Sequence, residues 1–445
     1  MADIKKLAEM LKKLDDKLVS CMRCGMCQAV CPLFKETGRE TDVTRGKLAL
    51  LNGLAEQMLK DAKGVNEIVN RCLLCGTCQV NCPSGVQIVD IFLEARAILT
   101  GYFGLSPVKK AIFRGMLANP RFFNLLTTMG STFQGVFTKK ADELLGSSCA
   151  RFNAPVVADR HFNSLATRPL RKTVGALDTP AGESGLRVAF FPGCVVDKMY
   201  PQVGEAAIAI FKHHGVGVYL PENQACCGIP VLTSGDRQTF DQLMEMNLAL
   251  FADKEFDYLV TPCASCTATI KELWPHYYGG ERANLEKLAR LGEKTLDITE
   301  FIADHLLSAE DQPAAQPTTE TVTYHDPCHL KNSLGITRQP RQLIAAAGRT
   351  LVEMNEAGKC CGCGGSFNVA HYEISKKIGT AKADNIIASG AATVATSCPA
   401  CMMQMTDMLS RRNKGLRVRH VIELYAEGLH RELVVKPQGG LPERA

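Results

Sequence analysis

Apolar residues follow a helical spacing through the first hundred positions of the chain. They recur every three or four residues between positions 3 and 18, which predicts a helix there. A second helix is predicted over 45–60, with Thr44 as its N-cap and Gly64 just beyond its end, and a third over 89–99. The pattern therefore predicts an all-α first domain.

Short continuous apolar runs replace this spacing in the second half of the chain. Such runs are typical of strands that are buried on both faces. Four are present, at 186–191, 257–266, 321–325 and 392–401. Helical segments over 201–214 and 340–347 follow the first run of each pair, and Gly215 ends the earlier one. Strands that alternate with helices predict a parallel α/β unit, here present in two copies.

Polar segments rich in Pro, Gly and Ser separate these units. TPAGESG at 179–185 and SAEDQPAAQPTTE at 308–320 are predicted linkers. The chain is therefore predicted to be an α+β multidomain protein. Its predicted parts are a helical domain over 1–100, a helical connector and linker over 101–185, a first α/β module over 186–307, a linker over 308–320, a second α/β module over 321–435 and a tail over 436–445.

Composition is that of a water-soluble protein with three domains of ordinary size. The 445 residues are 46% hydrophobic and 22% charged. The charged N-terminus lacks the apolar core of a signal peptide, and no apolar run approaches 18 residues. A cysteine-rich chain without an export signal is expected to be a cytoplasmic metal protein.

Charge is distributed unevenly along the chain. Residues 1–180 contain 25 Lys+Arg and 16 Asp+Glu, a net charge of +9, and the remainder has 26 and 30, a net of −4. From Ala95 to Ala141 there are seven Lys or Arg, six Phe and no acidic residue. This basic stretch is either an amphipathic surface for a membrane or an acidic partner, or a set of helices that packs over the first domain. No recognition motif accompanies the charge, so nucleic-acid binding is not expected.

Eight cysteines in the first domain form two identical runs. The spacing C-x2-C-x2-C-x3-C-P occurs at residues 21–32 and again at residues 72–83. This is the ligand pattern of a bacterial two-cluster ferredoxin, in which the fourth Cys of each run ligates the other [4Fe-4S] cubane. The predicted ligands are Cys21, Cys24, Cys27 and Cys82 for the first cluster and Cys72, Cys75, Cys78 and Cys31 for the second. Zinc knuckles and disulfides fit two runs of four less well.

The second half of the chain repeats a different cysteine pattern. Cys194 precedes Cys226 by 32 positions, and Cys328 precedes Cys360 by the same interval. Each copy continues with Cys-Cys-Gly and closes with C-x-x-C after a strand-like run. Five cysteines per copy exceed the four that zinc or a cubane cluster needs. An iron–sulfur site of unusual shape is favoured, with zinc and an uncommitted thiol set left open.

Several residues near these patterns have simpler interpretations. Cys149 stands alone and is read as a thiol without a role, and Cys363 as a spare thiol in the second copy. His325 and His329 flank Cys328 and are read as structural residues, with proton donation beside a redox site as the alternative. There is no G-x-G-x-x-G after a strand and no P-loop, so no flavin or substrate site, and no catalytic residue, is assigned.

The order of these motifs resembles a known family. Two ferredoxin runs followed by two C-xn-CCG-xm-C-x-x-C modules resemble the iron–sulfur subunits of glycolate oxidase and of anaerobic glycerol-3-phosphate dehydrogenase, and the catalytic subunit of membrane-type heterodisulfide reductase. The segments at 191–218, 325–343 and 360–375 resemble the CCG protein of bacterial lactate-utilisation systems, whereas RCLLCGTCQVNCPSGV and TRGK at 44–47 resemble the glycolate oxidase subunit. The resemblance covers most of the chain except about 100–185.

The resemblance implies further [4Fe-4S] clusters, cubane or noncubane, in one or both CCG modules. The ligands carried over are Cys194, Cys226, Cys227, Cys263 and Cys266 in the first module and Cys328, Cys360, Cys361, Cys398 and Cys401 in the second. Many glycolate oxidase subunits have a degenerate first module, whereas this chain keeps all five cysteines there. That difference strengthens the expectation of cluster binding in the first module.

The resemblance also implies a complex. An FAD-binding partner would oxidise a 2-hydroxy acid such as lactate or glycolate, and this chain would pass the electrons to a quinone, a cytochrome or an electron-transfer protein. It would lie in the cytoplasm, with peripheral association at the inner face of the cell membrane left open. Two alternatives remain: an enzyme that reduces a disulfide at a CCG cluster, and a zinc-stabilised docking module attached to the ferredoxin domain.

Overall fold

A computed structural model describes residues 4–152, 160–307, 318–412 and 415–435. The predicted linker at 308–320 and the predicted tail fall largely outside the described residues.

The N-terminal region is helical throughout its described residues, as predicted. Its elements are α1 Ile4–Leu11, a 3-10 turn at Lys12–Leu14, α2 Asp15–Val19, α3 Met26–Val30, α4 Pro32–Thr37, a 3-10 turn at Glu40–Asp42, α5 Thr44–Ala55, α6 Ala62–Asn70, α7 Thr77–Val80 and α8 Ile88–Phe103. Leu7, Leu11 and Leu14 are buried against α5 and α8, which forms the core of this region. The helical spacing of apolar residues therefore identified the buried face correctly.

Three local expectations in this region were wrong. The helix predicted over 3–18 is divided by the 3-10 turn, and the helix predicted over 45–60 ends at Ala55. It ends there because Gln57 adopts a left-handed backbone with φ 58°. Thr44 is the first helical residue and not the cap, since Val43 precedes the helix without a capping side chain. The Thr44 hydroxyl instead donates a hydrogen bond to the sulfur of Cys78.

The connecting region contains a small sheet that the sequence pattern did not predict. It begins with α9 Pro107–Lys110, a π-helical segment at Ala111–Leu117 and α10 Pro120–Phe137, and continues with β1 Thr138–Asp142, β2 Ser147–Ala150, β3 His161–Asn163, α11 Leu170–Thr173 and β4 Leu177–Asp178. Strands β1, β2 and β3 pair antiparallel in that order. They are short and polar, so they lack the apolar run that identified the other strands.

The first α/β module is built on a five-stranded sheet. Its elements are β5 Arg187–Phe190, α12 Gly193–Met199, α13 Pro201–His213, β6 Gly217–Leu220, α14 Ile229–Leu232, α15 Arg237–Phe251, β7 Tyr258–Thr261, α16 Ala264–Ala268, a π-helical segment at Thr269–Leu273, α17 Trp274–Tyr277, α18 Arg282–Glu293, β8 Thr295–Asp297, α19 Ile298–Phe301 and a π-helical segment at Ile302–Leu306. The strand order is β4-β6-β5-β7-β8, and all pairs except β4 with β6 are parallel. The parallel sheet confirms the predicted fold class.

The second module repeats this arrangement with four strands. Its elements are β9 Thr321–Tyr324, a π-helical segment at His329–Ser333, α20 Arg338–Ala346, β10 Thr350–Leu351, α21 Ser366–Ala370, α22 Tyr372–Ala388, β11 Thr393–Thr396, α23 Pro399–Leu409, β12 Arg417–His420 and α24 Val421–Val435. The strand order is β10-β9-β11-β12, and every pair is parallel. One apolar core contains strand residues of both sheets, among them Val188 and Val322, so the two modules pack together.

The buried side chain of Arg96 connects the helical region to the first module. Its side chain is only 3% exposed, and its guanidinium donates hydrogen bonds to the carbonyl oxygens of Val69, Asn70, Cys72 and Thr233 at 3.0, 3.2, 2.7 and 2.9 Å. A buried cation is tolerated when its donors are paired in this way. The loop before the second ligand run is therefore fixed to α8 and to the first module.

No helix within the described ranges is both long enough and apolar enough to cross a lipid bilayer.

Replacing Arg96 with Met should lower the melting midpoint by roughly 5–10 °C, since several buried carbonyl groups lose their donor. Circular dichroism of the wild type and of R96M, prepared identically, measures the shift. The exposed Arg168 provides the control, and R168M should melt within about 1–2 °C of the wild type. Equal midpoints for R96M and the wild type would contradict the assigned role.

Asp297 predicts a pH dependence. Burial raises the pKa of this fully buried carboxyl from 3.8 to about 7. Between these values the folded protein holds a proton that the unfolded chain has released, so stability falls as the pH rises through this window. The loss from this group between pH 5 and 8 is on the order of 2–3 kcal/mol. In D297N the melting midpoint should depend less on pH, whereas D253N, at an exposed position, should behave as the wild type.

Candidate metal centres

The two ferredoxin-type runs adopt the same backbone conformation. In each run, the second residue after the first Cys and the residue after the second Cys have positive φ: Arg23 and Gly25 in the first run, Leu74 and Gly76 in the second. Gly25 has φ 86°, a left-handed conformation that favours glycine, and a Cβ there would lie 2.7 Å from Nη1 of the flexible Arg45 side chain. Each run then enters a short helix, α3 or α7, and these two helices pack together.

The packing of α3 against α7 brings the predicted ligand sets together. Cys21, Cys24, Cys27 and Cys82 line one cavity, and Cys31, Cys72, Cys75 and Cys78 line the next. Cys78 reaches both cavities, so the two sets are adjacent. The fourth Cys of each run therefore lies with the other run, in the arrangement that the two-cluster spacing predicts, although the ligand assignment itself stays a prediction.

Three residues of the TRGK segment lie close to these sulfur atoms, a role that the sequence analysis did not predict for any of them. The Thr44 hydroxyl donates to Cys78, and the backbone N–H of Arg45 donates to Cys27. The Lys47 side chain is 1% exposed, donates to the carbonyl of Asp42, and lies near Cys72 and Cys31. Hydrogen bonds and cations of this kind stabilise thiolates. Burial acts in the opposite direction and raises the pKa of the Cys31 thiol to about 11.

The five cysteines of the first module meet at the carboxyl ends of its parallel strands. Cys194 follows β5, Cys226 and Cys227 follow β6, and Cys263 and Cys266 follow β7. Loops at this edge of a parallel sheet are the usual location of a site. The Sγ atoms of Cys194 and Cys226 are 4.0 Å apart.

Neighbouring residues fix the Cys-Cys-Gly turn of the first module. Gly228 has φ 92°, and a Cβ there would lie 2.5 Å from the ring of Phe240. The indole N–H of Trp274 donates to the carbonyl of Cys227 at 2.9 Å, and Asn247 donates to that of Cys226 at 3.1 Å. The sulfur positions are therefore held by the backbone around them.

The second module places its cysteines in the same way. Cys328 follows β9, Cys360 and Cys361 lie in the loop before α21, and Cys398 and Cys401 follow β11. Gly362 has φ 89°, close to the value for Gly228 in the first module. Ser375 donates to the carbonyl of Gly362 at 2.8 Å, and Lys382 donates to that of Glu356 at 2.6 Å.

The thiols in the second module share their protons unequally. Cys360 and Cys401 donate hydrogen bonds to Cys361 and hold the pKa of Cys361 well below its usual range. The pKa of Cys401 is raised, because its thiol lies beside the sulfur atoms of Cys361 and Cys398 and because it is buried. Several adjacent thiolates in an apolar interior would repel one another unless a cation lay between them. The donor set is therefore suited to a metal centre.

The two modules present their cysteines to one shared cavity of about 410 Å³. Cys263 of the first module donates a hydrogen bond to Cys398 of the second. The backbone N–H of Ala264 donates to the carbonyl of Ser397 at 3.2 Å, which joins the two C-x-x-C loops. Cys363 also lines this cavity, whereas Cys149 lies in β2, paired with Lys139.

The second ferredoxin set touches the second module. The sulfur atoms of Cys75 and Cys360 lie close enough for Cys360 to raise the pKa of Cys75, and the side-chain amide of Asn332 donates to the carbonyl of Cys75 at 2.8 Å. The four sulfur sets thus form one continuous series. The order is first ferredoxin set, second ferredoxin set, second module, first module.

Of the two histidines beside Cys328, His325 is buried and His329 is half-buried. Burial lowers the pKa of His329, and its Nδ1 lies 3.0 Å from the hydroxyl of Ser265. Burial lowers the pKa of His325 to about 3, and its Nδ1 lies 3.1 Å from the carbonyl oxygen of Ala357. Both imidazoles are therefore neutral at neutral pH.

The chemistry of the donors fits iron–sulfur clusters. All twenty cysteines lie in the described part of the chain, and none of them forms a disulfide there. Groups of four or five convergent sulfur atoms with few oxygen donors select soft-metal and iron–sulfur centres.

Comparisons with known proteins agree with this geometry. The family model of the 4Fe-4S dicluster domain matches residues 17–86, and that of the cysteine-rich CCG domain matches residues 188–271 and 322–406. These matches place a dicluster domain before two CCG domains, the same order as in the structure.

Two named relatives span most of the chain. A probable glycolate oxidase iron-sulfur subunit of Bacillus subtilis is 29% identical over 435 residues, which cover 94% of this chain and 96% of that protein. One subunit of the fumarate reductase (CoM/CoB) of Methanothermobacter marburgensis is 28% identical over 416 residues, 92% of this chain and 72% of the relative.

Lactate utilization protein A of Geobacillus thermodenitrificans is 33% identical over 240 residues, 54% of this chain and 98% of that protein. With the dicluster and CCG matches, this similarity shows that the chain belongs to the family of iron–sulfur proteins that includes the glycolate oxidase iron-sulfur subunit and lactate utilization protein A.

Proposed function

We propose that this chain is the electron-transfer subunit of a flavin-dependent 2-hydroxy acid dehydrogenase complex, with lactate or glycolate as the substrate. The observation that carries the proposal is the unbroken series of four sulfur sets. Contact between Cys75 and Cys360, and between Cys263 and Cys398, connects the ferredoxin region to both modules. Short separations between successive sites are what electron transfer through a protein requires.

The chain's own residues would hold, bury and separate the clusters. The eight ferredoxin cysteines would hold two cubane clusters, and the ten CCG cysteines one or two further clusters; when bound, these supply one-electron redox centres. Arg45 and Lys47 would balance negative charge at the first two sets. Hydrogen bonds to sulfur, such as that from Thr44 to Cys78, would raise the reduction potential of the set they reach.

The flavin would belong to a partner subunit. Oxidation of a 2-hydroxy acid to a 2-oxo acid releases two electrons and two protons, and FAD can take the pair and return the electrons singly. Cys24 is exposed, so the first ferredoxin set lies where a partner can approach it. The name of the Bacillus relative describes an iron–sulfur subunit of an oxidase, which supports a complex of this type.

A cavity beside the far end of the series favours a small electron acceptor. It measures about 250 Å³ and is lined by Asn124, Lys198, Gln224 and Cys194, among others. Oε1 of Gln224 is buried and has no hydrogen-bond partner among the described residues, so it can accept one from a ligand. A quinone, which becomes a hydrogen-bond donor when it is reduced, suits this cavity better than a protein carrier does.

One face of α10 supports peripheral attachment to a membrane. Seven apolar residues on this helix are 37–61% exposed and recur at helical spacing, namely Phe122, Leu125, Leu126, Met129, Phe133, Val136 and Phe137. The opposite face packs on the connecting region and the first module, where Arg171 of α11 donates to the carbonyl of Asn124 at 3.2 Å and Lys198 of α12 donates to its side chain at 3.0 Å.

Charge at this face favours an anionic lipid surface as the occupant. Arg121 and Lys139 lie at the two ends of α10 and are exposed, and no acidic residue occurs between positions 95 and 141. Apolar side chains that insert at the boundary of the headgroups, with cations around them, are typical of interfacial helices. Attachment by α10 would bring the cavity beside Cys194 close to the quinone pool.

The disulfide reductase remains a second candidate, and one observation favours it. The two complete sets of five cysteines face a single cavity of about 410 Å³, which has room for a ligand between two metal centres. The relative from Methanothermobacter, whose name includes CoM/CoB, aligns with 92% of this chain.

Electron paramagnetic resonance on the anaerobic complex tests the proposed function and its alternative. The tagged chain is isolated from its own host, and spectra are recorded before and after addition of D-lactate, L-lactate or glycolate. We expect a flavoprotein to co-purify and one acid to reduce the clusters, which a short-chain quinone then reoxidises. A chain that is isolated alone and responds only to a dithiol or a disulfide would support the reductase.

Iron analysis tests the CCG ligand sets. C227S and C361S should each lose roughly four iron atoms per chain relative to the wild type, because each removes one sulfur of a different module. C149S, in β2, should keep the full content. About eight iron atoms together with zinc in the wild type would instead support a zinc-stabilised docking module.

Vesicle co-sedimentation tests membrane attachment. The wild type should bind vesicles of phosphatidylcholine with about 30% phosphatidylglycerol and bind pure phosphatidylcholine much less. Replacing Leu125 and Phe133 together with Glu should weaken binding at least roughly tenfold, since both side chains are more than half exposed on the apolar face.

Val19 and Met58, exposed at 75% and 70% elsewhere on the chain, provide the matched control as a Val19→Glu and Met58→Glu pair. Equal binding of the two double variants would contradict docking by α10. If the wild type does not bind vesicles and the α10 variant no longer co-purifies with the flavoprotein, the apolar face of α10 is the interface with the flavoprotein subunit.

A further inference from the structure

The two modules differ at one buried position beside their metal centres. Phe191 lies three residues before Cys194 in the first module, and His325 lies three residues before Cys328 in the second. Both follow the first strand of their module, and both are fully buried. The Phe191 ring packs against Phe251 and Trp274, with centroids 6.2 and 6.4 Å apart. Apolar packing alone thus satisfies this position in the first module.

His325 is held in one orientation and in one tautomer. Its backbone N–H donates to the carbonyl of Ala395 at 2.9 Å, and its Nδ1 lies 3.1 Å from the carbonyl oxygen of Ala357. A carbonyl oxygen can only accept a hydrogen bond, so Nδ1 carries the proton. The other ring nitrogen, Nε2, therefore has a lone pair.

The lone pair on Nε2 has no partner within the described residues, although the side chain is completely buried. Groups that could have donated to it are engaged elsewhere. Arg341 binds the carboxylate of Asp326 at 2.7 and 3.0 Å, and Lys382 donates to the carbonyl oxygens of Glu356 and Ala357 at 2.6 and 3.2 Å. An unpaired acceptor at such depth is uncommon and indicates a missing partner.

The sulfur atoms of Cys361 and Cys401 lie next to this imidazole. A ring nitrogen of His325 and these two Sγ atoms lie within 4.8 Å of one another, so a single metal ion could contact all three. Thiols could donate to Nε2 only while they keep their protons, and they lose them when they bind iron. With the centre loaded, iron is the partner available to Nε2.

We propose that Nε2 of His325 is a ligand to iron in the second module, so that this centre has mixed sulfur and nitrogen ligation. The centre of the first module, where Phe191 takes the same position, is then ligated by sulfur alone. This inference rests on the proposed function, because it requires iron in the second module. The ligand set implied by the family resemblance contains only cysteines, so His325 adds to it.

Mixed ligation would make the two CCG centres unequal. Where Nε2 takes the place of one of the five thiolates on iron, the centre carries less negative charge, and replacement of thiolate by imidazole raises the potential of iron–sulfur centres. The second module lies between the ferredoxin region and the first module. An electron would therefore reside longest at the second module. Its transfer from there to the first module would require a second electron in the series or an acceptor bound at the first module.

Pulsed electron paramagnetic resonance on the reduced, anaerobically prepared chain tests the ligand directly. Protein is made with natural-abundance histidine and with histidine labelled with 15N. We expect a strong nitrogen coupling of a metal-bound imidazole that changes with the isotope. It should be absent from H325F, which copies the first module, and from H325Q, which keeps a polar side chain if H325F does not fold.

Two variants assign the signal. H329Q removes the neighbouring half-buried imidazole, and H213Q removes one at the surface; the coupling should survive in both. If H325F and H325Q both lose the centre, an isotope-sensitive coupling that persists in H329Q still supports His325. A coupling that survives in H325Q or disappears in H329Q overturns the inference.

The same samples separate failure of this inference from failure of the proposed function. Iron analysis of the wild type and of C361S reports whether the second module holds iron. Iron there without a nitrogen coupling overturns ligation by His325 and leaves the electron-transfer proposal intact. Absence of iron from the second module overturns both.

Discussion

Burial of sulfur in groups is the constraint on which the rest of this structure depends. Eighteen cysteines converge in four sets, and none of them is oxidised to a disulfide in the described chain. Neutral thiols can share hydrogen bonds in such a set, but several thiolates require a cation among them. The fold answers this requirement by bringing donors and cations to the sulfur atoms, as Thr44, Arg45 and Lys47 do at the ferredoxin sets. It places glycine where the backbone must turn past a sulfur, as at Gly25, and fixes the loops by bonds to their carbonyl groups.

Sequence patterns anticipated the parts of the fold that follow from local physics. Continuous apolar runs identified β5, β7, β9 and β11, because strands of a parallel sheet are buried on both faces. The cysteine spacing predicted which cysteines would meet, since two-residue gaps leave little freedom to the backbone. The antiparallel sheet of β1, β2 and β3 was missed, because its strands are short and polar and are defined by pairing with one another. The assignment of Thr44 as a cap was wrong for a similar reason. Its hydroxyl interacts with the sulfur of Cys78, which lies in a distant segment, and not with the backbone of its own helix.

Contacts between the sets could not be predicted from the sequence either. The approach of Cys75 to Cys360 joins segments almost 300 positions apart, and it depends on how the helical region packs on the second module. Asn332, which donates to the carbonyl of Cys75, offered no signal as one polar residue in a helical segment. His325 was visible beside Cys328, and its structural interpretation was reasonable for a histidine at the end of a strand. What changed its interpretation was the unpaired Nε2, which only the three-dimensional surroundings disclose.

Duplication of the module explains both the symmetry and the difference between the two CCG sites. Two copies of one α/β unit place their C-x-x-C loops against each other, where Ala264 bonds Ser397, so each copy covers the sulfur set of the other. Because the two modules share one cavity, their centres need not be equivalent. A substitution in one module then changes the properties of its centre relative to the other. Phe191 and His325 are such a pair, one apolar and one with an unused lone pair. The first module also has α10 and the small cavity beside Cys194 on its outer side, and these offer it an exit. A series with an entrance at the ferredoxin region, an unequal pair of centres and an exit at the first module has a direction, and that direction is set by residues outside the cysteine motifs.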